Sequence, residues 1–357
     1  MTTIINATCA CTTFTYQVSL PTTSLPIPRA LCLCDSYRRI SDSYDISYIS
    51  ASMDIEPSDY ALKAYKVSPN FTAYFCSSCG AHVLGKGNGR ESWYLATGIW
   101  DRTEGIIEWT GCMWVEDTLD GGISVWFRNI EESDGSKRAL KRWVRQAGES
   151  ELIPEGTLEV LPEKEKKKGT ENLKAQCLCG GVKFYITRPN AASKAVRSPF
   201  PDLMKPYHST SSANPENETW WLRDNESKYL AGTCACASCR LASGFEIQPW
   251  AFVPLCNIFH EDGTPLDFER GTLKRYESSK GVWREFCGTC GATVFWHCEE
   301  RSGLIDVSVG LFDPSEGARA EGWLEWWTGR VSFAEMAVSK SLVASLEKGL
   351  KEWEQKR

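Results

Sequence analysis

The sequence predicts a mainly β protein built from two tandem copies of one cysteine-anchored domain. Three observations carry that expectation. Cysteine groups recur in the same order in both halves, strand-like alternation follows them, and each half closes on a segment with helical spacing.

The repeat can be followed landmark by landmark. Cys9-Ala-Cys11 leads into TTFTYQV, and Cys177-Leu-Cys179 leads into GGVKFYI; both runs alternate like half-buried strands. Cys32-Leu-Cys34-Asp-Ser-Tyr37 then matches Cys234-Ala-Cys236-Ala-Ser-Cys239. Tyr-Phe-Cys76-Ser-Ser-Cys79-Gly matches Glu-Phe-Cys287-Gly-Thr-Cys290-Gly, and Gly98-Ile-Trp-Asp101 matches Gly310-Leu-Phe-Asp313. The closing stripes are Ala139, Leu140, Trp143, Val144 and Ala147 in the first half. In the second they are Leu342, Val343, Leu346, Leu350 and Trp353, and the spacing predicts a helix in each.

These landmarks divide the chain into a first domain at 1–148, a charged linker at 149–172 and a second domain at 173–357. The linker centres on LPEKEKKKGTE, a solvated charge run. The halves differ by one long insertion at 187–229. It is rich in Pro, Ser and Asn, and its adjacent Trp220 and Trp221 predict an ordered loop.

Composition sets the function classes. A hydrophobic share of 42% and a charged share of 24% are those of a soluble globular chain. The net charge of -6 argues against a nucleic-acid partner, because phosphate binding needs a basic face. No run is long and apolar enough for a membrane span, and the N-terminus has no basic, then apolar, leader. The expected location is therefore cytoplasmic. In that reducing compartment the sixteen cysteines read as metal ligands, and all but Cys112, Cys256 and Cys298 fall into close groups. A lone cysteine is usually a small buried hydrophobe.

A CxxC pair between an aromatic residue and a glycine makes a turn whose two thiolates converge on one ion. The opening CxC of the same half supplies two more. The expected closed sites are Cys9, Cys11, Cys76 and Cys79, and Cys177, Cys179, Cys287 and Cys290, each holding structural Zn2+.

The middle group differs. Cys234, Cys236 and Cys239 offer three ligands, and three protein ligands with an open position is the arrangement of reactive zinc. Three thiolates blunt the ion as a Lewis acid, but their softness suits the capture of another sulfur from an external thiol. The other reading is a closed site completed by His297 or Cys298. In the first half Tyr37 replaces the third cysteine, and a neutral phenol is a weak ligand, so Cys32 and Cys34 are expected to leave that site empty or weak. Arg240 is a candidate for holding a substrate carboxylate, with Ser243 or Glu246 beside it. Trp250, Trp296, Trp220 and Trp221 are candidate walls of an apolar pocket, with core packing as the plainer reading; Trp323, Trp326 and Trp327 are expected to cover a sheet.

The segments CLCGGVKF, CACASCRLASG and REFCGTCGATVF together resemble the glutathione-dependent formaldehyde-activating enzyme family, also called the CENP-V/GFA domain. The resemblance covers most of the second half and, more faintly, the first. It implies an Mss4-like β fold with two zinc sites per domain, the CxCxxC zinc being where glutathione chemistry occurs. By that resemblance Cys234, Cys236 and Cys239 are the reactive group. The implied activity is that of a carbon–sulfur lyase joining a thiol such as glutathione to an electrophilic carbon, or reversing that step. The tandem layout with a long loop is similar to a fungal-type branch of the family. The competing class is a non-catalytic zinc-binding interaction module. The intact CxCxxC favours the enzyme, since a scaffold needs only the four-cysteine sites.

Overall fold

The computed structural model describes residues 1–41, 47–51, 53–131, 135–158 and 171–357. In the first half the strands are β1 (Thr2–Thr8), β2 (Thr15–Pro21), β3 (Ile27–Cys32), β4 (Tyr48–Ala51), β5 (Leu62–Ser68) and β6 (Phe71–Cys76). They continue with β7 (His82–Gly87), β8 (Trp93–Ala96), β9 (Ile107–Met113), β10 (Asn129–Glu131), β11 (Lys137–Ala139) and β12 (Lys141–Arg142); α1 (Asp35–Ser41) follows β3. The second half has β13 (Asn172–Gln176), β14 (Lys183–Thr187), β15 (Leu222–Arg223), β16 (Lys228–Cys234), β17 (Gln248–Pro254) and β18 (Ile258–His260). After these come β19 (Leu273–Ser279), β20 (Val282–Cys287), β21 (Thr293–Cys298), β22 (Leu304–Ser308) and β23 (Leu324–Trp326), with α2 (Ala237–Ser243) after β16 and α3 (Lys340–Gln355) last.

The two halves lay their strands down in the same way. β5 to β8 form an antiparallel meander with β4 against β8; β19 to β22 repeat it with β17 against β22. A parallel pair flanks each meander, β3 with β9 and β16 with β23. In the second half β16 also pairs with β17, which merges the meander, the parallel pair and β15 into one eight-stranded sheet, while β13, β14 and β18 form a separate one. Alternation drives these strands: along β1, Ile5 and Ala7 turn into the core while Thr2 and Asn6 face solvent.

The expected helix at the end of the first half does not form. Ala139 ends β11, β12 pairs in parallel with β9, and Trp143 donates its N–H to Cys112 O at 2.8 Å. Leu140 and Trp143 are buried as the stripe required, but an extended segment followed by turns buries them equally well. The free edge of β9 offers backbone partners that an isolated short helix lacks, so tertiary pairing overrides the spacing. The second stripe does form a helix, with Leu342, Val343, Leu346 and Leu350 on its buried face. That helix packs on the first half: Ser345 Oγ donates to Asn129 O at 2.7 Å, and Trp353 packs edge-on against Trp126.

The halves embrace reciprocally. Ala10 N donates to Leu241 O at 3.1 Å, and its counterpart Leu178 N donates to Arg39 O at 2.9 Å. Each CxxC turn lies against the other half: a Cβ on Gly80 would sit 2.6 Å from the Phe286 ring, and one on Gly291 would sit 2.6 Å from Phe75. Both glycines also have positive φ, 81° and 80°, which closes the turn. The chain thus forms its own two-domain pair around one continuous core. Of the charged linker, residues 159–170 lie outside the described residues; Ile153 before them is buried, as is Leu173 after them.

Candidate metal centre and its cavity

The three cysteine groups assemble with their sulfurs within 4.8 Å of one another: Cys9, Cys11, Cys76 and Cys79; Cys177, Cys179, Cys287 and Cys290; and Cys234, Cys236 and Cys239. In each quartet a turn between the first two strands meets the β6–β7 or β20–β21 turn. Sγ to Sγ is 3.5 Å for Cys11 and Cys76 and 3.5 Å for Cys179 and Cys287. Tetrahedral zinc with bonds of about 2.3 Å sets sulfurs about 3.8 Å apart, so the donor sets fit that ion. Backbone amides point at the sulfurs as well: Phe14 N lies 3.4 Å from Cys9 Sγ, and Val182 N lies 3.3 Å from Cys177 Sγ. Such amides favour thiolate over thiol.

Cys234 ends β16, Cys236 caps α2, and Cys239 lies in the first turn of that helix; Cys239 N is 3.2 Å from Cys236 Sγ. The trio lines a cavity of about 470 Å³. The cavity floor is one row of side chains across four adjacent strands. Phe252 pairs with Asp306, Asp306 with Trp296, and Trp296 with Arg284. All four line the space, with Trp250 next to them. Arg284 is buried, and its Nη2 reaches Ser238 Oγ at 3.0 Å and Cys239 Sγ at 3.4 Å. The other two thiols, and then this guanidinium, hold the Cys239 thiol well below the ordinary range. Beside the row Arg301 binds Asp306 at 2.8 Å and lies over the Trp296 ring, 4.3 Å from its centroid.

The insertion at 187–229 forms a wall. Pro199, Phe200, Asp202, Leu203 and Tyr207 line the cavity, and Asp202 ties the wall down by accepting from Tyr207 N and Phe333 N, each at 2.7 Å. Trp220 and Trp221 serve as its internal packing, their indole N–H groups bonded to Pro199 O and Ser193 O. Trp250 and Trp296 line the cavity, whereas Trp323 and Trp326 are buried against the sheet.

Several sequence expectations change here. Arg240 does not face the cavity. Its guanidinium is buried between the halves and donates to Gly98 O and, at 2.8 Å, to Trp100 O. Those carbonyls leave a substrate carboxylate no place beside it. Ser243 bonds the backbone of Phe245, and Glu246 is buried near Thr97 and Ser339 at the same interface. His297 points to the opposite sheet face from Trp296, where it meets Glu285 at 3.0 Å and stacks on Phe268. Strand alternation therefore removes it as a fourth ligand. Cys298 lines the cavity but stands outside the three-cysteine group.

In the first half the equivalent space is filled. Tyr37, Tyr48, Phe71 and Tyr94 pack ring against ring with centroids 5.8 to 6.1 Å apart, and Phe245 of the second half joins at 5.5 Å from Tyr48. Phe71 occupies the place of a side chain at Gly85, where the second half has Trp296. Burial pushes the Tyr37 phenol well above its usual range, which keeps it neutral beside Cys32 and Cys34. No motif in the sequence marks Arg284, Arg301 or Asp306 as site residues. The signal available was the repeat itself, which sets Arg284 against Ala73 and Asp306 against Tyr94.

The family model of the glutathione-dependent formaldehyde-activating enzyme matches the chain twice, at residues 4–117 and 223–330. No curated protein and no solved structure matches it.

Proposed function

Since the chain belongs to the glutathione-dependent formaldehyde-activating enzyme family, we propose that its second half is a zinc-dependent carbon–sulfur lyase acting on adducts of glutathione or another thiol with a carbonyl compound. The observation that carries this reading is the three-cysteine group opening onto a 470 Å³ cavity beside a buried arginine. Both four-cysteine groups are taken as structural zinc sites, since a closed tetrahedral set leaves no position for substrate.

Zinc held by Cys234, Cys236 and Cys239 would supply an open position that takes up a thiol as its thiolate. The protein's own groups do the rest. Arg284 offsets the negative charge of the cysteine trio, and its Nε and Nη1 have no hydrogen-bond partner among the described residues. Those N–H groups are suited to the oxygen of a bound carbonyl. In the joining direction the thiol sulfur bonds to the carbonyl carbon, the C=O π pair moves onto oxygen, and the thiol proton ends on that oxygen. In the lyase direction the same hydroxyl proton returns to sulfur as the carbon–sulfur bond breaks. An N–H donor held ready where charge develops on oxygen lowers the barrier in both directions. Trp250 and Trp296 give the cavity lining apolar faces. The first half, with its equivalent space filled by rings, acts as scaffold.

Metal analysis and turnover test this together. Three zinc ions per chain are expected, and Cys239→Ser should lose one and abolish turnover of thiol adducts. Full turnover in Cys239→Ser, or two ions in the active wild type, would sink the reading.

A further inference from the structure

We propose that the carbonyl partner is a planar aromatic compound carrying a hydroxyl group, anchored on the Arg301–Asp306 pair of the cavity lining. This rests on the lyase reading of the same site and extends it to substrate class.

The first argument is shape. The cavity is walled by flat rings: Phe200, Tyr207, Trp250, Phe252, Trp296 and Phe333. Its volume lies within the roughly 300–1,000 Å³ of pockets that enclose drug-sized ligands. An aldehyde of two heavy atoms would leave these walls without contact, whereas an aromatic ring would stack on them or meet their edges.

The second argument is hydrogen-bond arithmetic. Arg301 and Asp306 are each nine-tenths buried as side chains and bind one another through Nη2 and Oδ2. That leaves Arg301 Nη1, a donor, and Asp306 Oδ1, an acceptor, without partners among the described residues. A hydroxyl gives one hydrogen bond and takes another, the two roles that these atoms leave open. A carboxylate takes only, and would face Asp306 with like charge.

The third argument is an internal control. The first half builds the same four-strand row from Ser50, Tyr94, Gly85 and Ala73, each opposite the next. The backbone therefore forms without Phe252, Asp306, Trp296 and Arg284. Burying charged groups with open hydrogen-bonding positions works against stability. Their presence only in the half with a cavity assigns them to a ligand.

The test uses the zinc-loaded full chain and calorimetric titration with two unreactive ketones, acetophenone and para-hydroxyacetophenone, with acetone as the small control. The hydroxylated ketone should bind at least tenfold tighter than acetophenone, with no saturable heat from acetone. Asp306→Tyr installs the residue the first half already carries at this register, so it should fold and lose binding of both ketones. Equal affinity of the two ketones would overturn the hydroxyl anchor, and no saturable binding of either would overturn the proposal. Turnover of the glutathione adducts of formaldehyde and of para-hydroxybenzaldehyde, measured on the same sample, keeps the two readings apart. Turnover without ketone binding removes only the substrate class. Ketone binding with no turnover of any thiol adduct removes only the lyase.

Discussion

Arg284 Nη2 lies 3.4 Å from the sulfur of Cys239, joining the sheet floor of the cavity to the cysteine trio where β16 passes into α2. With the bond to Ser238 Oγ, this contact couples the three-cysteine group, which could hold a metal, to the other residues of the cavity floor. It is specific to the second half, because Ala73 and Tyr37 stand at the two equivalent positions in the first.

Arg284→Ala is expected to reduce kcat for thiol-adduct turnover by about 10²-fold or more, the usual cost of losing a prepositioned donor to a developing oxyanion. The melting temperature should stay within a few degrees of wild type, since Ala73 serves at the same register. Arg284→Lys should recover part of the rate. Zinc content measured alongside separates a lost donor from a lost metal.

Arg240→Ala should act on stability and leave chemistry alone. Gly98 O and Trp100 O would lose their donor inside the interface between the halves. Each orphaned buried carbonyl costs about 1–3 kcal/mol. Urea unfolding should show that loss, with KM and kcat of the remaining folded protein unchanged. A raised KM at unchanged stability would return Arg240 to the substrate-binding role that its sequence position suggested.

Glu246 makes the interface sensitive to pH. Burial raises its carboxyl from 4.5 to about 7, against the opposing pull of Arg240; Thr97, Ser339 and Glu104 also face it. A raised folded pKa means the folded chain keeps its proton while the unfolded chain has released it. Stability is therefore fully present below pH 4.5 and falls as pH rises toward 7, by about 3 kcal/mol in total. Glu246→Gln should flatten that slope and be the more stable form at pH 8. Denaturant midpoints recorded from pH 5 to pH 8 for both proteins check the sign.

Much of the site was legible because zinc ligation is local in its demands. CxC and CxxC put two thiolates on one turn, so Cys9, Cys76, Cys177, Cys287 and their partners could be paired by spacing and repeat order alone. The C-terminal stripe was also legible, since α3 has sixteen residues and can form from its own periodicity. The stripe at 139–147 misled for the converse reason: it is short, and a neighbouring strand edge offered its backbone better partners. Arg240 misled because sequence adjacency to Cys239 says nothing of direction. One residue along a helix turns the side chain by about 100°, which separates facing the sulfur cluster from facing the other half.

The sequence by itself determined the two-copy β architecture, the three complete cysteine groups and the substitution at Tyr37, all of which rest on residue type at fixed spacing. Only the tertiary structure decided which side chains share the cavity. The row from Phe252 through Asp306 and Trp296 to Arg284 spans four strands, and its members meet because antiparallel register sets them opposite one another. Register depends on pairing between segments distant in the chain, which spacing along any one of them does not record.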